Sequence, residues 1–209
     1  MRLKTRIALA AIAMALSGCS SVGGGGLGGG YYSLMTVRER EVGNGSMVVT
    51  PPRPWNRASR QLIFSDDLRW VEDWTLNGPY LDGLSFVAGL PSGRSFLRQR
   101  RSRDRLVPDF RSDMTAPEIT AMIESLFRVR GGAVEFRTLS LQPRPFLGTN
   151  GFQFDYEHLD SDELWRRGRA VGAVIDGRLY MILLDAARTH YYANALPDFE
   201  AMVASARRK

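Results

Sequence analysis

Two histidines, His158 and His190, are the side chains of this 209-residue chain whose ordinary pKa lies near neutrality. Acid–base or nucleophilic chemistry at pH 7 would start from them. Neither belongs to a hydrolase pattern. There is no Gly-x-Ser-x-Gly, and Ser92 and Ser95 flank Gly93 without a nucleophile signature. His158 is expected to end an exposed strand face, and His190 to pack beside Tyr191 and Tyr192. No catalytic residue is assigned, and no enzyme activity is expected. The acidic groups Asp66-Asp67, Glu72-Asp73 and Asp160-Ser161-Asp162-Glu163 lack the spacing of a calcium loop. Asp160 to Glu163 reads as a solvated turn between two strands. With one Cys and two His, no structural zinc site, and no other metal or cofactor, is expected. A chain with 22 acids always offers carboxylate pairs, so glycoside-hydrolase chemistry has no specific support.

The functional pattern that stands out is basic. Arg98, Arg100, Arg101, Arg103 and Arg105 lie within eight residues. Guanidinium groups bind carboxylates and phosphates with paired hydrogen bonds. On a strand, Arg98 and Arg100 would face away from Arg101, Arg103 and Arg105, whereas a loop can present all five together. This run is the candidate contact for an anion or an acidic partner. Arg166, Arg167 and Arg169 form a second group, in a strand, which would extend the same surface or shield a wet sheet face. Trp55, Trp70, Trp74 and Trp165 read mainly as core.

The first nineteen residues address the chain. Arg2, Lys4 and Arg6 precede an uncharged apolar run from Ile7 to Leu16. Ten residues are too few to cross a bilayer core, which takes about 20, so the run reads as the hydrophobic part of a signal peptide. It ends in Leu16-Ser17-Gly18-Cys19, which resembles the bacterial lipobox. The resemblance implies cleavage of residues 1–18 and acylation of Cys19, the only thiol in the chain. Several acyl chains on one residue exceed the two-signal requirement for stable anchoring. Ser20 stands where Asp would signal inner-membrane retention, which favours the outer membrane, facing the periplasm, in a host that sorts this way. Cleavage removes three of the 28 basic residues and leaves 25 against 22 acidic. The remaining charge of about +3 does not speak for nucleic acid, and neither does export.

Residues 20–30, rich in glycine, read as a flexible tether, and residues 31–209 as a single α+β domain. Strands are predicted at Met47–Thr50, weakly at Leu62–Phe64, and at Trp70–Leu76 and Leu81–Ala88 about the turn Asn77-Gly78-Pro79. A polar stretch, Arg94 to Asp113, precedes a helix. Thr115 and Glu118 make a capping box, and Ile119, Met122, Ile123, Leu126 and Phe127 form its apolar face up to Gly131-Gly132. Val134–Leu141 is the next strand. Phe152, Phe154 and Tyr156 then alternate with polar residues, predicting one buried and one wet face. Trp165–Ile175 and Leu179–Leu184 form a hairpin through Asp176-Gly177. A last helix is predicted near Pro197 to Arg207, with Phe199, Met202, Val203 and Ala206 inward.

Strands, helix, four strands and helix make a twisted antiparallel sheet flanked by helices. From Trp55 onward the pattern resembles the PsbP-like α/β/α sandwich, found in extrinsic photosynthetic proteins and in bacterial envelope lipoproteins. The resemblance rests on Trp74-Thr75-Leu76, Leu81-Asp82-Gly83-Leu84, the helix after Met114-Thr115, Gly151-Phe152-Gln153-Phe154, the Asp176-Gly177 hairpin and His190-Tyr191-Tyr192. It implies fold and envelope location, not chemistry. The expected role is non-enzymatic: a lipid-anchored envelope protein binding, scaffolding or assisting an envelope protein or an anionic envelope polymer. The alternative is an envelope hydrolase acting on cell-wall or lipid substrates.

Overall fold

The structure is a computed structural model that describes residues 32–58, 69–96 and 107–209. These residues fall within one compact unit. The strands are β1 (Tyr32–Met35), β2 (Arg40–Val42), β3 (Met47–Val49), β4 (Trp55–Ala58), β5 (Val71–Thr75) and β6 (Asp82–Pro91). After helix α1 (Ala116–Leu126) and a π-helical turn (Phe127–Gly131) come β7 (Ala133–Pro143), β8 (Phe152–Asp160), β9 (Trp165–Ile175) and β10 (Arg178–Ala187). Helix α2 (Tyr191–Ser205) and the short β11 (Arg207–Arg208) end the chain.

Among the described residues, eight strands form one antiparallel sheet in the order β1-β4-β5-β6-β10-β9-β8-β7. A three-stranded sheet, β11-β3-β2, lies apart from it. Period-two alternation sends each strand's apolar residues to both faces. On β10, Tyr180, Ile182 and Leu184 join one core with Phe199 and Met202 of α2 and Val42 and Met47 of the small sheet. Leu179, Met181 and Leu183 join the opposite core with Ile119, Met122 and Ile123 of α1. The α+β class and the layer arrangement expected from the sequence are thus observed.

Local signals account for the element ends. The Glu118 carboxylate accepts hydrogen bonds from the Thr115 amide (2.7 Å) and hydroxyl (2.8 Å), which starts α1. Gly132, with φ of 67°, turns the chain out of the π-helical turn. Asp176 and Gly177, at φ of 51° and 70°, make the two-residue turn that joins β9 to β10.

Three expectations need correction. Helix α2 begins at Tyr191, six residues ahead of the expected start, and holds Pro197 in its interior. Tyr192, Ala195, Phe199, Met202 and Val203 form one buried stripe, and its burial outweighs the roughly 3 kcal/mol that an interior proline costs. The second face of β8 is not wet: Gln153 is buried and Asp155 and Glu157 are half-buried. The stretch from Arg94 to Asp113 contributes Phe96, Val107 and Phe110 to the α1-side core. Leu62–Phe64 lies outside the described residues.

Candidate functional site

The even-numbered alternation of β8 that buries Phe152, Phe154 and Tyr156 beneath α1 also carries His158, which is only 1% exposed. Arg166 of β9 stands opposite His158 in register. Asp185 of β10 follows Leu179, Met181 and Leu183 on the same face. At this end of the sheet the three side chains meet. His158 Nε2 lies 2.8 Å from Asp185 Oδ1. His158 Nδ1 lies 2.7 Å from Asp160 Oδ1, an ion-pair contact out of line for a hydrogen bond. Arg166 Nε donates to Asp185 Oδ2 at 2.5 Å and its Nη1 to the Tyr80 carbonyl at 2.6 Å. The Tyr156 hydroxyl donates to the Leu184 carbonyl at 3.1 Å. Phe127, of the π-helical turn, packs tilted against the imidazole with 4.7 Å between ring centroids.

An imidazole and a guanidinium thus face two carboxyl groups in a largely buried quartet. Burial opposes the charge on His158, but the hydrogen bond and charge of Asp185 and the charge of Asp160 outweigh it, so its pKa is raised. Burial likewise opposes ionisation of Asp185, and Arg166 and His158 overcome it and hold the carboxyl below its ordinary value. Asp160, less well compensated, is pushed up by burial and by the charge of Asp185. Both ring nitrogens of the buried imidazole face carboxylates rather than a nucleophile. The cluster binds β8, β9, β10 and the Tyr80 turn together. It corrects two expectations: His158 is not on an exposed face, and Asp160 is not part of a merely solvated turn.

On the α2 side, Arg169 binds Asp155 at 2.6 Å and Glu200 at 2.7 Å, and Arg144 binds Glu200 at 2.6 Å and Gln153 Oε1 at 2.6 Å. Burial of Asp155 is outweighed by hydrogen bonds from Arg169 and Ser140, which lower its pKa. Arg167 stacks on Tyr192, 5.1 Å from the ring centroid. The expected basic group is therefore divided. Arg166 faces the α1-side core, while Arg167 and Arg169 share the other face as expected. Arg166 and Arg169 are spent on internal carboxylates rather than on an open cationic surface.

His190 is exposed. It sits at φ of 69° just before α2, edge-on to Tyr191, with Nε2 2.8 Å from Asn194 Nδ2. Among the described residues no serine hydroxyl is hydrogen-bonded to either histidine, and no three His, Cys, Asp or Glu side chains converge to hold a metal. Ser92 Oγ accepts the Ser112 amide. Glu72 is buried and takes hydrogen bonds from Trp74 Nε1, Arg57 and the Gly43 amide. Trp55, Trp70 and Trp74 are buried as expected. Trp165 is only half-buried, lying between Arg137 and Arg188 at 5.2 and 5.1 Å. The five arginines from Arg98 to Arg105, Asp66-Asp67 and Cys19 lie outside the described residues.

No protein-family model matches the chain, and no curated protein matches it by sequence. Solved structures do. The solution structure of cyanobacterial PsbP (CyanoP) from Synechocystis sp. PCC 6803 superposes with a TM-score of 0.54 at 15% identity, over 90% of this chain and 99% of that one. The fold is PsbP-like. The Saccharomyces cerevisiae Ran-binding protein Mog1p gives 0.48 at 11% identity, over 82% of this chain and 94% of its own. At these identities the PsbP-like likeness concerns architecture alone.

The quartet was hidden because Asp185, which joins His158 and Arg166, comes from another strand 27 residues after His158. One signal could have exposed it. Extending the Phe152-Phe154-Tyr156 alternation by one step puts His158 on the buried face, where a polar ring requires partners.

Proposed function

We propose that the chain is a lipid-anchored cell-envelope protein whose domain binds or scaffolds a partner and catalyses no reaction. The observation that carries the reading is the closure of His158, whose two ring nitrogens both face carboxylates in a quartet completed by Arg166. The residue best suited to acid–base work is thereby committed to holding strands together. The order of basic residues, apolar run, Leu-Ser-Gly-Cys and glycine tether supports anchoring through Cys19. Ser20 supports the outer membrane, with the domain facing the periplasm. A PsbP-like sheet is compatible with such a role.

The partner is an envelope protein or an anionic envelope polymer, and the run Arg98, Arg100, Arg101, Arg103 and Arg105 is the proposed contact. The test has two arms. Intact-mass measurement of the protein purified from membranes reads the acyl chains on Cys19 directly. Capture from envelope extract compares the acylated protein with a variant carrying Ser at all five arginines. A component retained by the first and lost by the second supports the reading. Equal retention of every component by both sinks the arginine contact. Hydrolysis of a cell-wall or lipid substrate that is lost in His190→Ala would replace the reading with the enzymatic one.

A further inference from the structure

Strand β1 and the residues after it carry part of the exposed apolar surface; another part, Val134, Leu139 and Leu141, lies on β7. Tyr32 and Leu34 of β1 point to the same sheet face and are 42% and 61% exposed, and Val37 just beyond is 54% exposed. Further along the same stretch two guanidinium groups converge on one neutral oxygen. Arg38 Nε and Arg40 Nη2 donate to Thr36 Oγ1 at 3.0 and 2.7 Å. No described carboxylate pairs with either arginine, and Arg40 Nε is buried without an acceptor. The neighbouring Glu39 and Glu41 are taken by Arg207 and Lys209 at 3.0 and 2.5 Å. Two cations without a described carboxylate partner thus share the stretch 32–40 with three exposed apolar side chains. A hydroxyl between two guanidiniums leaves several N–H groups for an anion to fill.

We infer that β1 and the Thr36–Arg40 turn form a membrane-contact surface for an anionic phospholipid bilayer, with Arg38 and Arg40 on headgroup phosphates and Tyr32, Leu34 and Val37 at the acyl boundary. The chemistry of the patch matches an interface, where apolar side chains insert shallowly and arginines meet anionic headgroups. The place of the patch in the chain also matches. Tyr32 follows the proposed acylation site, Cys19, by only 13 residues. The inference rests on the anchoring reading and adds an orientation to it: the domain would lie with its β1 edge on the bilayer and its β7 edge away.

A fluorophore that brightens and shifts to the blue in lipid tests this. Leu34→Cys offers one free thiol in the acylated protein, because acylation consumes Cys19. Leu139→Cys, on exposed β7, is the control. The labelled proteins are reconstituted in phosphatidylethanolamine vesicles containing phosphatidylglycerol or phosphatidylcholine. The expected result is a blue shift at position 34 and none at 139, reduced when phosphatidylcholine replaces phosphatidylglycerol and by Arg38→Gln with Arg40→Gln. Water-like emission at 34, or equal shifts at both positions, overturns the surface. An intact mass without acyl chains sinks the anchoring reading instead. The full chain carrying Cys19→Ser and Leu34→Cys, mixed with the same vesicles, then decides the surface by the same shift, measured against Cys19→Ser with Leu139→Cys.

Discussion

The ring of Tyr156 lies across the bare backbone of Gly168, its partner in register on the next strand. A Cβ at position 168 would overlap the far end of the phenol, at Cζ and the hydroxyl oxygen. The missing side chain on β9 is what lets the hydroxyl reach past that strand to the Leu184 carbonyl on β10. Gly168 is therefore part of the packing of Tyr156 and serves no turn.

Gly168→Ala is accordingly expected to destabilise the domain. Forcing extra volume into a packed site costs roughly 1–3 kcal/mol, and displacing the phenol adds about 1 kcal/mol for the lost hydrogen bond. Tyr156→Phe should cost only the latter. Tyr156→Leu removes the obstructing end of the ring, so Gly168→Ala made in that background should cost much less than in the parent. Urea midpoints of the parent and the four variants check this. Full additivity of Gly168→Ala and Tyr156→Leu would refute the proposed contact.

His158 gives the fold a pH dependence of definite sign. Its pKa is raised in the folded state above the ordinary 6.5. Folding therefore favours the protonated ring, and that contribution is complete below pH 6.5 and is lost as pH rises through the folded value. Asp185, lowered from 3.8, acts oppositely: its contribution is present above 3.8 and lost as pH falls through its folded value. Asp160, raised from 3.8, favours folding while protonated and loses that contribution once pH passes its raised value, so its window opens at acid pH. The denaturant midpoint should fall as pH rises above 6.5 through the folded value of His158, and His158→Gln should be less stable at pH 6 yet show a flatter profile. Parallel profiles for the two proteins would remove His158 as the cause.

Which features could be read in advance follows from how local their causes are. Thr115 with Glu118, Asp176 with Gly177, and the alternation of Phe152, Phe154 and Tyr156 are decided within a few residues, and each stands where expected. The His158–Asp185 pair is decided by register between strands 27 residues apart. Charge and spacing alone make Asp160 look like its solvated neighbours Asp162 and Glu163, because nothing local says which carboxylate faces a buried ring. The start of α2 was obscured by Pro197, whose local preference yields to a buried stripe beginning at Tyr192. Arg38 and Arg40 gave no signal at all, since two arginines two residues apart are ordinary until Thr36 is seen between them.

Trp55 supplies the last prediction. Its side chain is fully buried between β4 and α2, and its indole N–H donates to Asp198 Oδ2 at 3.0 Å. Arg53 Nε donates to the same oxygen at 2.5 Å, but its side chain is half exposed and screened by water. The indole has no such recourse to solvent. Asp198→Ala leaves a buried donor unpaired and should cost about 1–3 kcal/mol. Asp198→Asn keeps an acceptor oxygen for the indole and should cost less, while Arg53→Ala should cost least. Denaturant midpoints rank the three variants, and hydrogen exchange at the Trp55 indole should accelerate in Asp198→Ala alone. Equal losses for Ala and Asn would mean that the carboxylate's charge toward Arg53, not the acceptor for Trp55, is what ties α2 to β4.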